Sequence, residues 1–135
     1  MPVYLIQGFF FQHQEWLGLG MSSEGEGVIT VIKSGLCRFM YSGVIYPDER
    51  NALGGFAGQM SDHFGDSQLS NVAVLPEEVR FVKKYDHRDD LIDYKFTKQN
   101  GLWVGGYSRS AVGQGGAKCV ITEVSEDLFR LPERN

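Results

Sequence analysis

Apolar and polar residues alternate with a period of two over much of this chain, most clearly in its last third, and a period of two is the signature of strands buried on one face. Val79, Phe81 and Tyr85 alternate with Arg80, Val82 and Lys84. Ile92, Tyr94 and Phe96 alternate with Asp93, Lys95 and Thr97. Between these strands, Asp86-His87-Arg88-Asp89-Asp90 reads as a polar connection. Lys98-Gln99-Asn100-Gly101 reads as a turn whose Asn-Gly pair is a strong hairpin signal. Trp103, Gly105 and Tyr107 form a further strand, and after Gly113-Gln114-Gly115-Gly116 residues 117–124 form another. Consecutive strands joined by short hairpin loops predict a meander.

The first half follows the same grammar with more noise. Strands are expected over 3–11, 15–21, 27–33 and 36–46, separated by Ser23-Glu24-Gly25-Glu26-Gly27 and Ser34-Gly35. A longer loop begins at Pro47, and strands over 55–62 and 67–75 meet through His63-Phe64-Gly65-Asp66. The pattern therefore predicts about ten strands. Only residues 125–129 read as helical, with Ser125 as N-cap. A faint internal echo links the stretch from Trp16 to Thr30 with that from Trp103 to Thr122, but its spacing is too irregular for a repeat array. No linker or low-complexity tract divides the 135 residues, so one domain is expected over 1–135.

Many short antiparallel strands in one domain either form two sheets or close on themselves, and a sequential meander closes most naturally into an up-and-down β-barrel. The strand spacing, the chain length and the series from Phe81-Val82-Lys83-Lys84-Tyr85 to Trp103-Val104-Gly105-Gly106-Tyr107 resemble the calycin-type small barrels, which include lipocalins and intracellular fatty-acid-binding proteins. The resemblance spans residues 43–129 and implies an interior that holds a lipophilic ligand. Gly101-Leu102-Trp103 repeats the letters of the lipocalin Gly-x-Trp string but stands late in the chain, where lipocalins carry it on the first strand.

Alternation also assigns side chains to the barrel interior, because one face of each strand is buried. Val79, Phe81, Lys83 and Tyr85 point inward, as do Ile92, Tyr94 and Phe96. Cys37, Phe39, Tyr41 and Ile45 share that face, with Ala117, Cys119 and Ile121, and Trp103 and Tyr107 complete the wall. Such an interior suits an apolar pocket with a few orienting polar groups. The candidate ligand-binding residues are Lys83, Tyr85, Phe81, Tyr94, Phe96, Trp103, Tyr107 and Tyr41, with Arg109 helping from the rim. An ammonium at Lys83 needs an anionic or hydrogen-bonding partner, which a ligand carboxylate would supply; alternatively the lysine snorkels to a barrel end. The tyrosines are alternatively ordinary core or rim residues whose hydroxyls reach water.

Composition and charge narrow the classes further. Hydrophobic residues make up 42% and charged residues 22%, as in a globular protein, and 17 glycines against four prolines suit many tight turns. With a net charge of −4 and scattered basic residues, nucleic-acid binding is not expected. No apolar run approaches the roughly 20 residues that span a bilayer, and the amino terminus lacks the pattern of a signal peptide. Two cysteines, Cys37 and Cys119, fit a reducing compartment and a cytoplasmic location, with a disulfide between them as the alternative. Both read as buried small hydrophobes.

Phosphate-loop, nucleophile-elbow and zincin motifs are absent, so no cofactor, metal or catalytic residue is assigned. His63 with Asp62 and Asp66, and His87 with Asp86, Asp89 and Asp90, would form an imidazole and carboxylate cluster if their loops shared a rim; loop polarity explains them as well. Three functions fit these residues. The leading one is a non-catalytic carrier or sensor of a small lipophilic, anionic-headed molecule. A second is a protein-interaction or homodimerising module with a packed core, and a third is a lipid isomerase or cyclase, which needs an inward carboxylate or imidazole.

Overall fold

Residues 2–13, 36–109 and 113–132 are described by the computed structural model. Eight strands carry the fold among them: β1 (Val3–His13), β2 (Leu36–Pro47), β3 (Phe56–Asp62), β4 (Gly65–Val74), β5 (Glu78–Tyr85), β6 (Ile92–Gln99), β7 (Leu102–Arg109) and β8 (Gly113–Val124). Each pairs antiparallel with its sequence neighbour, and β1 pairs with β8, so the meander closes into a barrel. The two further strands expected over 15–21 and 27–33, and the first copy of the internal echo, lie outside the described residues.

Local chemistry accounts for the turns. Asn100 and Gly101 both take positive φ, 52° and 84°, as a two-residue hairpin loop between Gln99 and Leu102 requires. Asn71, at φ 51°, sits where the β4–β5 register shifts between Ser70 and Ala73, a bulge that tightens the wall. One helix, α1 (Glu126–Phe129), follows β8. Ser125 caps it by accepting from the Asp127 amide at 3.1 Å.

The alternation holds in three dimensions. Val79, Phe81, Lys83 and Tyr85 on β5, and Ile92, Tyr94 and Phe96 on β6, are all buried, and the residues between them are more exposed. Tyr41, Ile45, Trp103, Tyr107, Ala117 and Cys119 are buried as expected, Phe39 and Ile121 are partly buried against them, and Ile6 and Phe10 of β1 join the core. Aromatic rings fill the middle: Phe81 stacks on Tyr94 with centroids 5.1 Å apart, and Phe10 meets Tyr107 edge-on at 5.8 Å.

Gly8 of β1 stands between Tyr41 of β2 and Cys119 of β8. A Cβ there would lie 2.1 Å from the Lys118 carbonyl oxygen, so only glycine lets Tyr41 reach across the strand. Its hydroxyl accordingly lies 3.4 Å from the Lys118 carbonyl and beside the Cys119 thiol.

Candidate functional site

The carboxyl ends of β1, β3, β5 and β7 meet at one mouth of the barrel, and the chemistry gathers there. Lys83 is fully buried: neither its side chain nor that of Asp62 has any accessible surface. The expectation that this lysine snorkels to a barrel end is therefore corrected. Its Nζ lies 2.5 Å from Asp62 Oδ2, and the Tyr85 hydroxyl donates to the same oxygen at 2.7 Å. The other carboxylate oxygen accepts from the Phe64 amide at 2.8 Å. The ammonium also sits over three rings, 4.5 Å from Tyr85, 5.3 Å from Phe10 and 5.4 Å from Tyr94.

Two opposing effects act on the Lys83 amine. Burial pushes the Lys83 pKa down, and Asp62 opposes it through its charge and hydrogen bond. For Tyr85 both burial and the Asp62 charge act in one direction and raise the phenol above its ordinary value. Tyr94 is raised by the same causes. The Tyr85 phenol stays protonated and donates to Asp62, which joins Asp62, Tyr85 and Lys83 in one buried hydrogen-bonded network. Strand β4 leaves room for it, because buried Ser67, paired with Met60 on one side and Tyr85 on the other, puts only a hydroxymethyl group between β3 and β5.

Above the network a turn folds into the mouth. Asp62 and Gly65 pair, so His63 and Phe64 form a two-residue loop, with Gly65 at φ 125°. The Phe64 ring packs inward at 5.0 Å from Phe39, 6.2 Å from Phe10 and 6.5 Å from Tyr85, closing the opening like a stopper. A cavity of about 30 Å³ remains beneath it, small beside the roughly 300–1,000 Å³ of common ligand pockets. Phe10, Phe64, Tyr85, Tyr94, Tyr107 and Ile92 line its apolar wall, and both charged lining residues are arginines, Arg88 and Arg109. Asp90 bridges the two: it pairs with Arg109 and lies 3.3 Å from Arg88.

Of the residues singled out in the sequence, Tyr85, Tyr94, Tyr107 and Arg109 come together at this cavity, and Lys83 lies against Tyr85 and Tyr94. Tyr107 donates to the Phe11 carbonyl at 3.0 Å. Gly115 makes that reach feasible, since a Cβ there would stand 2.3 Å from the hydroxyl. Phe81, Phe96, Trp103 and Tyr41 belong to the core without lining the cavity.

Sequence reasoning missed Asp62, Phe10, Phe64 and Arg88 as parts of this site. The phase of β3, with Gly58 and Met60 buried, carries on to Asp62 and was the available signal for it. The two histidine loops do share this rim, since the Asp86 amide donates to the Asp66 carbonyl at 2.9 Å. Yet His63 stacks on Phe39, His87 leans on Tyr85, and Asp62 turns inward, so the mixed cluster does not assemble. Among the described residues no three histidine, cysteine, aspartate or glutamate side chains converge on a metal position. Nor is any described helix long and apolar enough to cross a membrane.

The architecture, an eight-stranded up-and-down antiparallel barrel, is compatible with the calycin-like form that the sequence resembles. No family model, curated protein or solved structure matches the chain, so that compatibility rests on the barrel alone.

Proposed function

We propose that this barrel is a non-catalytic binder of a small molecule with an anionic head and a flat apolar body, held at the mouth. One observation carries the reading: every charged residue lining the mouth cavity is an arginine, and its other walls are aromatic or aliphatic. The head would meet Arg88 and Arg109 beside Asp90, which already pairs with both and would share or yield them; their planar guanidiniums suit a carboxylate. Lys83 keeps its contact with Asp62 and supports Tyr85 from below rather than meeting the ligand. The body would take the place of the Phe64 ring, which rides on a two-residue turn and would give up its packing on Phe39, Phe10 and Tyr85. A ligand that displaces a side chain binds more weakly than its contacts alone would allow, by the fraction of open molecules.

Fluorescence titration with 2-naphthoate, and with uncharged 2-naphthamide as control, tests this. Saturable binding of the carboxylate alone is expected, weakened about tenfold to a hundredfold by Arg88→Gln, as for loss of a charged hydrogen bond. Phe64→Ala, which vacates the space, should bind more tightly than the wild type. Absence of saturable binding to both wild type and Phe64→Ala would refute the proposal.

A further inference from the structure

Among the described residues four tyrosines are buried, and three of them donate the hydroxyl to a protein partner: Tyr41 to the Lys118 carbonyl at 3.4 Å, Tyr85 to Asp62 at 2.7 Å and Tyr107 to the Phe11 carbonyl at 3.0 Å. The fourth, Tyr94, is 3% exposed, and its hydroxyl makes no hydrogen bond among the described residues. A buried hydroxyl without a bond costs stability that phenylalanine would not. Phenylalanine would also fit the stack, since Phe81 and Phe96 pack on Tyr94 with centroids 5.1 and 6.0 Å away. The hydroxyl therefore asks for a partner that the fold does not supply.

Its position says where that partner would come from. Tyr94 lines the cavity of about 30 Å³ beneath Phe64, one inward position deeper on β6 than Ile92, which pairs with Arg109. The charged groups that act on its phenol are Asp62 at the floor of the mouth and Arg109 at the rim. Burial raises the phenol well above its ordinary pKa, so it stays protonated and can donate. A water-sized group needs roughly 10–15 Å³, so the space beside Tyr94 admits a hydroxyl but not a further ring.

From these contacts we propose that Tyr94 sets the specificity of the mouth, and that the molecule held there is a hydroxylated aromatic carboxylate. The inference rests on the reading of the mouth as a site for an anionic head and a flat body, and adds the second polar end of the ligand. With the carboxylate at Arg88 and Arg109 and the body in the place of the Phe64 ring, a ring hydroxyl on the far side enters the small cavity and bonds to Tyr94. A hydroxyl suits the position because it both accepts and donates. A polar group held ready for a ligand hydroxyl discriminates against the analogue that lacks it more strongly than an apolar wall can.

The test is fluorescence titration with 2-naphthoate and its 5-, 6- and 7-hydroxy derivatives, on the wild type and Phe64→Ala, each with and without Tyr94→Phe. With Tyr94 present, at least one hydroxy derivative should bind about tenfold more tightly than 2-naphthoate, as one added hydrogen bond allows. With Tyr94→Phe that preference should disappear. Urea unfolding gives a check that needs no ligand: Tyr94→Phe should be at least as stable as the wild type, because no hydrogen bond is lost, whereas Tyr85→Phe should be less stable. Saturable binding of 2-naphthoate without preference for any hydroxy derivative overturns the inference and leaves the anionic site standing, and so does a preference that survives Tyr94→Phe. Destabilisation by Tyr94→Phe as large as that by Tyr85→Phe overturns it too, since the hydroxyl would then have a partner in the fold. Absence of saturable binding of all four acids to both the wild type and Phe64→Ala overturns the underlying reading and the inference together.

Discussion

Replacing Lys83 with methionine keeps the length and apolar stem of the side chain and removes its charge, leaving the Asp62 carboxylate buried without its cation. At 2.5 Å and an effective dielectric constant near 20, the attraction lost is about 7 kcal/mol. Desolvating the ammonium costs several kcal/mol, which the substitution recovers, so the net is smaller than the Coulomb figure. Tyr85 and the Phe64 amide still donate to the carboxylate and soften the loss further. Buried pairs broken on one side lose about 3–5 kcal/mol, a large part of the stability of a domain this size. With a urea slope near 2 kcal/mol/M, the unfolding midpoint should fall by about 2 M.

Asp62→Asn added to Lys83→Met removes the orphaned charge and keeps an acceptor for the Phe64 amide, so the double variant should regain most of the loss. Urea unfolding followed by tryptophan fluorescence measures all three proteins. A cost below about 1 kcal/mol for Lys83→Met refutes the argument, because it is what an exposed, snorkelled lysine would give. A double variant no more stable than the single one refutes it equally.

Two further outcomes follow from other groups. Burial alone would raise the Asp90 carboxyl, but the hydrogen bond and charge of Arg109, with Arg88 adding, outweigh it and hold the pKa below its ordinary value. Its contribution is therefore present above the unfolded value near 3.9 and lost as pH falls through the folded one. Wild type should exceed Asp90→Asn in stability by at most about 1 kcal/mol at pH 6, the difference vanishing near pH 2, because Asp90 is substantially exposed. A difference that grows on acidification would contradict the sign. The cysteines should both be free: Cys37 and Cys119 sit two strands and four residues apart across β1, about 16 Å, beyond the span of a disulfide. Burial pushes the Cys119 thiol up to about 12, so it should react with a thiol reagent only on unfolding; prompt reaction of two thiols in the native protein would count against this.

Period-two alternation is a local property, and local properties were what the sequence determined: which residues are strand, which face of β5 and β6 is buried, and where Asn100-Gly101 turns the chain. Because a meander joins neighbours in order, the closed barrel followed from the same information. The inward position of Lys83 was equally legible. Its partner was not, since Asp62 lies 21 residues away on β3 and reads in sequence as one polar residue of a turn. Only the register of β3, β4 and β5, with Ser67 leaving room between them, brings the carboxylate and ammonium together.

The Phe9-Phe10-Phe11 run hid the phase of β1 for the related reason that a strand apolar on both faces shows no alternation, and so Phe10 went unassigned. The stopper position of Phe64 and the convergence of Arg88 and Arg109 likewise depend on which strand ends share a mouth. Strand pairing over tens of residues sets that, and no local window contains it.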